Sequence, residues 1–167
     1  MTTYWYVIRS KPQKEIALCS EMTMRGLDAY CPSLRVKPVN PRSRKTRPYF
    51  PGYVFVNADI ELVGLSALQW LPYSQGLVSF EGEPPAVPEA LINAIRKRVD
   101  QVNAAGGEDL FGLESGDEVI IQSGPFAGYQ AIFDMGLSGN ERVLVLLKLL
   151  EDQNMRLELP ASQIRKR

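Results

Sequence analysis

Proton transfer near neutral pH most often uses histidine, and this chain of 167 residues has none. Carboxylates and lysines remain, but no nucleophile motif, no G-x-x-x-x-G-K-[ST] and no G-x-G-x-x-G accompanies them. The two cysteines, Cys19 and Cys31, form no C-x-x-C pair, and without histidine a Cys/His zinc site cannot be built. The simple expectation is two small, buried or half-buried thiols. A disulfide between them requires Cα atoms within roughly 7 Å. These residues predict no enzyme, no metal and no cofactor.

The residue types that remain are those of binding. Net charge is zero, from 19 basic and 19 acidic residues, but the charges are not evenly spread. Residues 1–58 hold ten Lys/Arg and only three acids, whereas residues 59–110 hold three basic and eight acidic residues. A positive N-terminal part suggests an anionic partner. Within it Lys37, Arg42, Arg44, Lys45 and Arg47 share a stretch with no acid. Such a stretch can meet nucleic-acid phosphates by charge alone; it is equally well read as a solvated hairpin tip. Tyr53 and Phe55 are two apart and share one face of a strand, with Val54 and Val56 on the other. Packing into a core is the ordinary fate of strand aromatics.

The elements that hold these residues can be read from periodicity. Tyr4 to Ile8 is apolar on both faces, as a central strand is. Ser10-Lys11-Pro12-Gln13 predicts a helix start, with Ser10 as cap and Ile16, Cys19 and Met22 on an apolar stripe. Gly26 suits a left-handed helix end. Asp28 to Val36 reads as a strand, 38–48 as a loop, and Tyr49 to Val56 as a returning strand whose Pro51 marks a start or bulge. Glu61 to Leu68 is a weak helix and Gly76 to Phe80 a short strand. Pro88 opens a helix to about Val102, with Ile92, Ile95, Val99 and Val102 on one face. This is an α+β domain, an antiparallel sheet with flanking helices. Residues 103–111 are small, polar and Gly-containing, as a flexible linker is. Residues 112–167 predict short strands at Asp117–Gln122, Tyr129–Phe133, Val143–Leu150 and Met155–Leu159, hence a small barrel.

One segment fits two structures. Val143-Leu-Val-Leu-Leu-Lys-Leu-Leu150 does not alternate, so a barrel would leave several leucines exposed. From Leu144 to Leu157 the composition also favours a helix, with Asn140 as cap and Val143, Leu146, Leu147, Leu150 and Leu157 roughly on one face. The same run is the longest apolar one and is too short to cross a bilayer. The start Met-Thr-Thr-Tyr-Trp-Tyr lacks the layout of a secretion signal. Both observations lead to the expectation of a cytoplasmic protein.

Three segments together carry a resemblance: Trp5-Tyr6-Val7, Tyr49-Phe-Pro-Gly-Tyr-Val-Phe-Val56, and Gly116-Asp-Glu-Val119 with Gly124-Pro-Phe-Ala-Gly128. The chain resembles the NusG family of transcription elongation factors. Phe126 to Phe133 and Pro85 to Pro88 look closest to its specialised RfaH-like branch. The resemblance implies an N-terminal NGN domain (1–102), a flexible linker (103–111) and a C-terminal KOW domain (112–167). The KOW domain would be a five-stranded β-barrel, or an α-helical hairpin in an autoinhibited state.

The resemblance also implies partners and sites. Arg9, Phe50, Pro51, Tyr53, Phe55 and Phe80 would meet the clamp helices of the RNA polymerase β′ subunit. Arg9 stands where the RfaH-like branch has an aromatic residue. Lys11, Arg25, Arg42, Arg44, Lys45 and Arg47 would meet nucleic acid, including the non-template DNA strand. Glu21 and Met24 replace polar or basic types there, so any DNA preference should differ. Ser66 stands where the branch has a threonine-rich polymerase contact. Phe126, Gly128, Ile132, Phe133, Leu144, Leu146, Leu147 and Leu150 would serve a partner of the KOW domain, either a ribosomal small-subunit protein or the termination factor Rho, or the contact between domains. The protein would act as a monomer that suppresses pausing and termination. Two other readings are a housekeeping NusG and a KOW-type RNA-binding protein of the ribosome. The zero net charge argues against the second.

Overall fold

The computed structural model describes residues 3–35, 46–104, 132 and 137–156. Among them an antiparallel four-stranded sheet organises the rest, in the order β2-β5-β1-β6. Its strands are β1 (Tyr4–Ser10), β2 (Asp28–Tyr30), β5 (Tyr53–Ala58) and β6 (Ser74–Leu77). A separate ribbon joins β3 (Ser33–Arg35) to β4 (Thr46–Pro48). The helices are α1 (Glu15–Met24), α2 (Ile60–Val63), α3 (Leu65–Gln69), α4 (Glu89–Ala104) and α5 (Gly139–Arg156).

β1 lies inside the sheet, paired with β5 from Tyr4↔Ala58 to Arg9↔Tyr53 and on its other side with β6. A strand so placed needs apolar residues on both faces, and β1 has them. Trp5 and Val7 join Phe55 in one core cluster, while Tyr6 and Ile8 join Val54 and Val56 in the other. Leu18 and Met22 of α1, with Leu68 of α3, close the second cluster. Leu91, Ile92, Ile95, Val99 and Val102 of α4 close the first, where Val143, Leu146 and Leu150 of α5 join them.

Several boundaries differ from the sequence reading. Ser10 is not a helix cap: it stays in β1, opposite Ser74, and its hydroxyl donates to the Lys11 carbonyl. Gln13 takes a positive φ of 62°, and Lys14 precedes α1 without a side-chain cap. The buried face of α1 is Glu15, Leu18 and Met22, and Ile16 is 59% exposed. The strand expected over Asp28–Val36 is broken at Cys31-Pro32, because proline has no N–H to continue the ladder. The returning strand is broken too, at the Tyr49–Gly52 turn. Gly26 has the expected left-handed backbone, φ 83°.

α4 extends two residues into the expected linker. Asn103 in its last turn accepts a hydrogen bond from the Arg35 N–H (2.7 Å) and donates to the Ser33 carbonyl (3.1 Å), tying α4 to β3. The strand expected over Val143–Leu150 is overturned, since those residues lie within α5. Strong helix formers dominate the segment, and a single face of it is buried, as a helix permits. Ser138 rather than Asn140 starts it. The Ser138 hydroxyl accepts from the Glu141 N–H (3.2 Å), and the Glu141 carboxylate accepts from the Ser138 N–H (2.9 Å). This reciprocal pair is a capping box. The other strands expected between 112 and 159 lie wholly or mostly outside the described residues.

A candidate partner-binding face

The aromatic segment begins where β4 ends. Tyr49 donates its N–H to the Pro32 carbonyl (2.8 Å), and the chain then turns. Phe50-Pro51-Gly52-Tyr53 is closed by the Tyr53 N–H on the Phe50 carbonyl (3.1 Å). Proline second and a glycine with φ 84° third is the pattern of a type II turn. Two further bonds pin it. The Gly52 N–H donates to the Glu15 carboxylate (2.8 Å), and the Gly52 carbonyl accepts from the Ser10 N–H (2.8 Å). Glu15 is a buried acid whose work is to hold this turn.

The rings then pack edge to face. Tyr49 and Phe50 have centroids 5.1 Å apart at 87°, and Phe50 and Phe55 are 5.7 Å apart at 83°. Tyr30 stacks on Phe55 at 6.3 Å. Such pairs add about 0.5–1.5 kcal/mol beyond area burial. Arg96 of α4 lies over Tyr30 (4.5 Å) and Trp5 (5.5 Å), and burial pushes the Tyr30 phenol well above its ordinary range.

α5 is seated on this face. Val143, Leu146 and Leu150 belong to the same buried cluster as Tyr49, Phe50 and Phe55. Arg142, only 3% exposed, places its guanidinium 4.1 Å from the Tyr49 ring centroid and donates to the Tyr49 carbonyl (3.2 Å). The Tyr49 hydroxyl donates to the Ile132 carbonyl (2.9 Å). Gly139 sits so close to Pro51 that a Cβ would lie 2.8 Å from its ring carbons. No side chain fits there without displacement of one partner.

The residues expected to bind a polymerase therefore do not form an open patch. Phe50 and Phe55 are buried, Pro51, Tyr53 and Phe80 are half-buried, and Arg9 is exposed. The reason is the sheet face: Phe55 points with Trp5 and Val7 toward α4, and α5 extends that cover. Phe80, bridged to Glu83, packs against the same buried cluster as Phe50 and Phe55. Arg9 instead lines a cleft of about 430 Å³ with Pro12, Glu15, Pro51 and Tyr53.

The other expected residues are more scattered. Lys11 and Arg25 are exposed near opposite ends of α1, and Arg25 pairs with Glu21 at 3.3 Å. Arg47 is exposed on β4, opposite Leu34. Lys37, Arg42, Arg44, Lys45, Phe126, Gly128 and Phe133 lie outside the described residues. Of the C-terminal set, Ile132, Leu146 and Leu150 are buried and Leu147 is half-buried. Leu144 is 68% exposed on the outer face of α5 and does not face the N-terminal part. Both cysteines are free and half-buried, and burial pushes the Cys31 thiol up to about 12. Among the described residues no acid, cysteine or histidine group is arranged to hold a metal, and no helix is long and apolar enough to cross a membrane.

Sequence reasoning did not single out Tyr49 as a contact, nor Arg142 or Gly139. Arg142 directly precedes the apolar run, but nothing local distinguishes a buried arginine from a solvated one. The exposed surface of Trp70, 78% accessible just after α3, was equally unmarked.

A family model described as "NusG: Transcription termination factor nusG" matches residues 3–96. The chain is 28% identical over 120 residues to the "Transcription termination/antitermination protein NusG" of Helicobacter pylori (strain ATCC 700392 / 26695). That match covers 72% of this chain and 66% of the relative. It is 31% identical over 85 residues to the protein of the same description in H. pylori (strain J99 / ATCC 700824), covering 51% and 47%. The chain thus spans about half to two thirds of the length of these relatives. A solved structure described as "Domain interaction in Thermotoga maritima NusG" is similar at 25% identity with a TM-score of 0.43, covering 75% of this chain and 76% of that one.

Proposed function

Because the chain belongs to the NusG family of transcription termination and antitermination factors, we propose that it is an elongation factor of the RfaH-like branch. It binds the clamp helices of RNA polymerase through the Tyr49–Phe55 face, with Arg9 and Phe80 at its margins. It acts by shifting the polymerase toward its elongating conformation, not by catalysis. Residues 1–102 act as the polymerase-binding NGN domain. Residues 112–167 act as the KOW domain, which recruits a ribosomal small-subunit protein or Rho. The exposed bases Lys11, Arg25 and Arg47, with Arg42, Arg44 and Lys45, contact the non-template strand, where phosphate contacts position without reading sequence. The protein works in the cytoplasm as a monomer.

The observation that carries this reading is the seat of α5. A helix lies on the aromatic face that the family resemblance gives to a helical partner. The face is thus shaped for a helix, and in the free chain it is occupied. Polymerase binding then competes with closure, so the apparent affinity falls by the fraction of molecules that are open. A housekeeping NusG with a permanently open face is the second reading, favoured by the relatives' names alone.

Pull-down with core RNA polymerase tests this. Leu150→Asp, which puts a charge into the α5 interface, should bind more strongly than the wild-type chain. Phe55→Ser combined with Leu150→Asp should lose that gain. Equal binding by all three would refute the assignment of the face.

A further inference from the structure

α5 is a helix resting on a surface that the proposed function gives to a helical partner, so its contacts describe what that surface accepts. Two of its contacts, and one bond made by the chain before it, bear on this. The first is an apolar stripe, Val143, Leu146 and Leu150, at spacings of three and four residues. The second is Arg142, directly before the stripe. Its guanidinium is held by one residue twice, over the Tyr49 ring (4.1 Å) and at the Tyr49 carbonyl (3.2 Å). The third is the Tyr49 hydroxyl on the Ile132 carbonyl (2.9 Å), which belongs to chain preceding α5 and not to a docked helix.

The socket for the guanidinium is fixed from the N-terminal side. Tyr49 is bonded to the Pro32 carbonyl, its ring meets Phe50 edge-on, and the turn after it is pinned by Glu15 and Ser10. A ring face and a carbonyl oxygen both attract cations and repel anions, so a nucleic-acid phosphate does not fit there. A planar guanidinium can stack and donate at once, which an ammonium cannot do in the same way.

We propose that the partner helix recognised by this face carries an arginine immediately before an apolar stripe of the same spacing, and that its guanidinium replaces Arg142 over Tyr49. The inference rests on the reading of this face as a polymerase-docking surface and specifies the chemistry of the docked element. It gives one residue two roles: the Tyr49 ring serves both the closed and the polymerase-bound states, and the Tyr49 hydroxyl serves the closed state alone.

These roles predict opposite effects at a single position. The full-length chain is titrated with core RNA polymerase, and hydrogen exchange of α4 and α5 is followed in the same samples. Tyr49→Phe keeps the ring and carbonyl and deletes the closed-state hydrogen bond. It should raise α5 exchange and tighten polymerase binding by about threefold to tenfold, the usual effect of one neutral hydrogen bond. Tyr49→Leu also opens the chain but removes the ring. Made in the Arg142→Ala background, where the closed state no longer uses the ring, it should bind about tenfold more weakly than Tyr49→Phe in the same background, as loss of a buried cation–π contact implies. Should α4 exchange show that Tyr49→Leu loses its fold, Tyr49→Met makes the same comparison. Arg142→Ala opens the chain without touching the docking face and should bind more tightly than wild type. Equal affinity of Tyr49→Phe and the ringless variant in the Arg142→Ala background overturns the arginine-bearing partner alone. Failure of Arg142→Ala to bind polymerase at all overturns the reading of the face, and this inference with it.

Discussion

The two faces of the central sheet bury similar residues, yet the layers over them are attached differently. On one face α1 follows β1 and leads into β2 through short connections, and its buried contacts are Leu18, Met22 and the anchored Glu15. On the other, α4 is tied to β3 by Asn103, but α5 begins 35 residues after α4 ends. α5 also brings a buried arginine into an aromatic cluster, and it approaches Pro51 at a glycine. A layer held by local connections and apolar contact belongs to the domain permanently. On the proposed function, a layer held at a distance, through contacts that a partner helix reproduces, is a cover that can be exchanged. On that reading, burial alone does not distinguish core from masked surface; the attachment of the covering element does.

The comparison breaks most visibly if both layers respond alike to truncation. Leu18→Ala in α1 should destabilise the whole domain by about 2–5 kcal/mol, seen as a lower denaturant midpoint. Leu146→Ala removes an equally buried leucine from α5. It should raise hydrogen exchange of residues 139–152 while leaving the midpoint of the sheet, followed by Trp5 fluorescence, nearly unchanged. A shift equal to that of Leu18→Ala would make α5 an ordinary part of the core.

Smaller changes sharpen the contrast. Glu15→Gln weakens the bond that pins Gly52 and should cost about 1 kcal/mol, the difference between a carboxylate and an amide acceptor. Its effect belongs to the permanent layer and should appear in global unfolding. Ser138→Ala removes the cap of α5 and should cost about 1 kcal/mol of helix stability, visible only as faster exchange in its first turn. The smallest effect is that of pH. The Glu141 carboxyl lies below its ordinary 4.5 because it accepts from the Ser138 N–H and hydroxyl. Its contribution is present above that ordinary value and is lost as pH falls through the lower folded value. The start of α5 should therefore loosen on acidification in that window, with no matching change in α1 exchange.

Much of the sheet was legible because strand periodicity is a local property. Tyr53 and Phe55 separate from Val54 and Val56 as alternation requires, and β1 is apolar on both faces because it is paired on both sides. Ile92, Ile95, Val99 and Val102 are all buried, as their spacing implied. Errors arose where two local signals competed. Ser10 and Gln13 look like a capping pair, but the ladder with Ser74 kept Ser10 in the strand. The helix of residues 139–156 has a capping box in plain view, Ser138-Gly-Asn-Glu141, hidden by the more obvious Asn140. The face itself was half legible. Its aromatic residues are in the motif, but its contact with Arg142 joins positions 93 residues apart, and no local pattern reports such a pairing.

Hydrogen exchange of the full-length chain with and without core RNA polymerase tests the exchangeable cover most directly. The amides of residues 139–152 should lose protection when polymerase is bound, while those of α1 and of β5 keep or gain it. Retained protection of α5 in the bound complex would contradict the account, because the helix and the polymerase would then not compete for the Tyr49–Phe55 face.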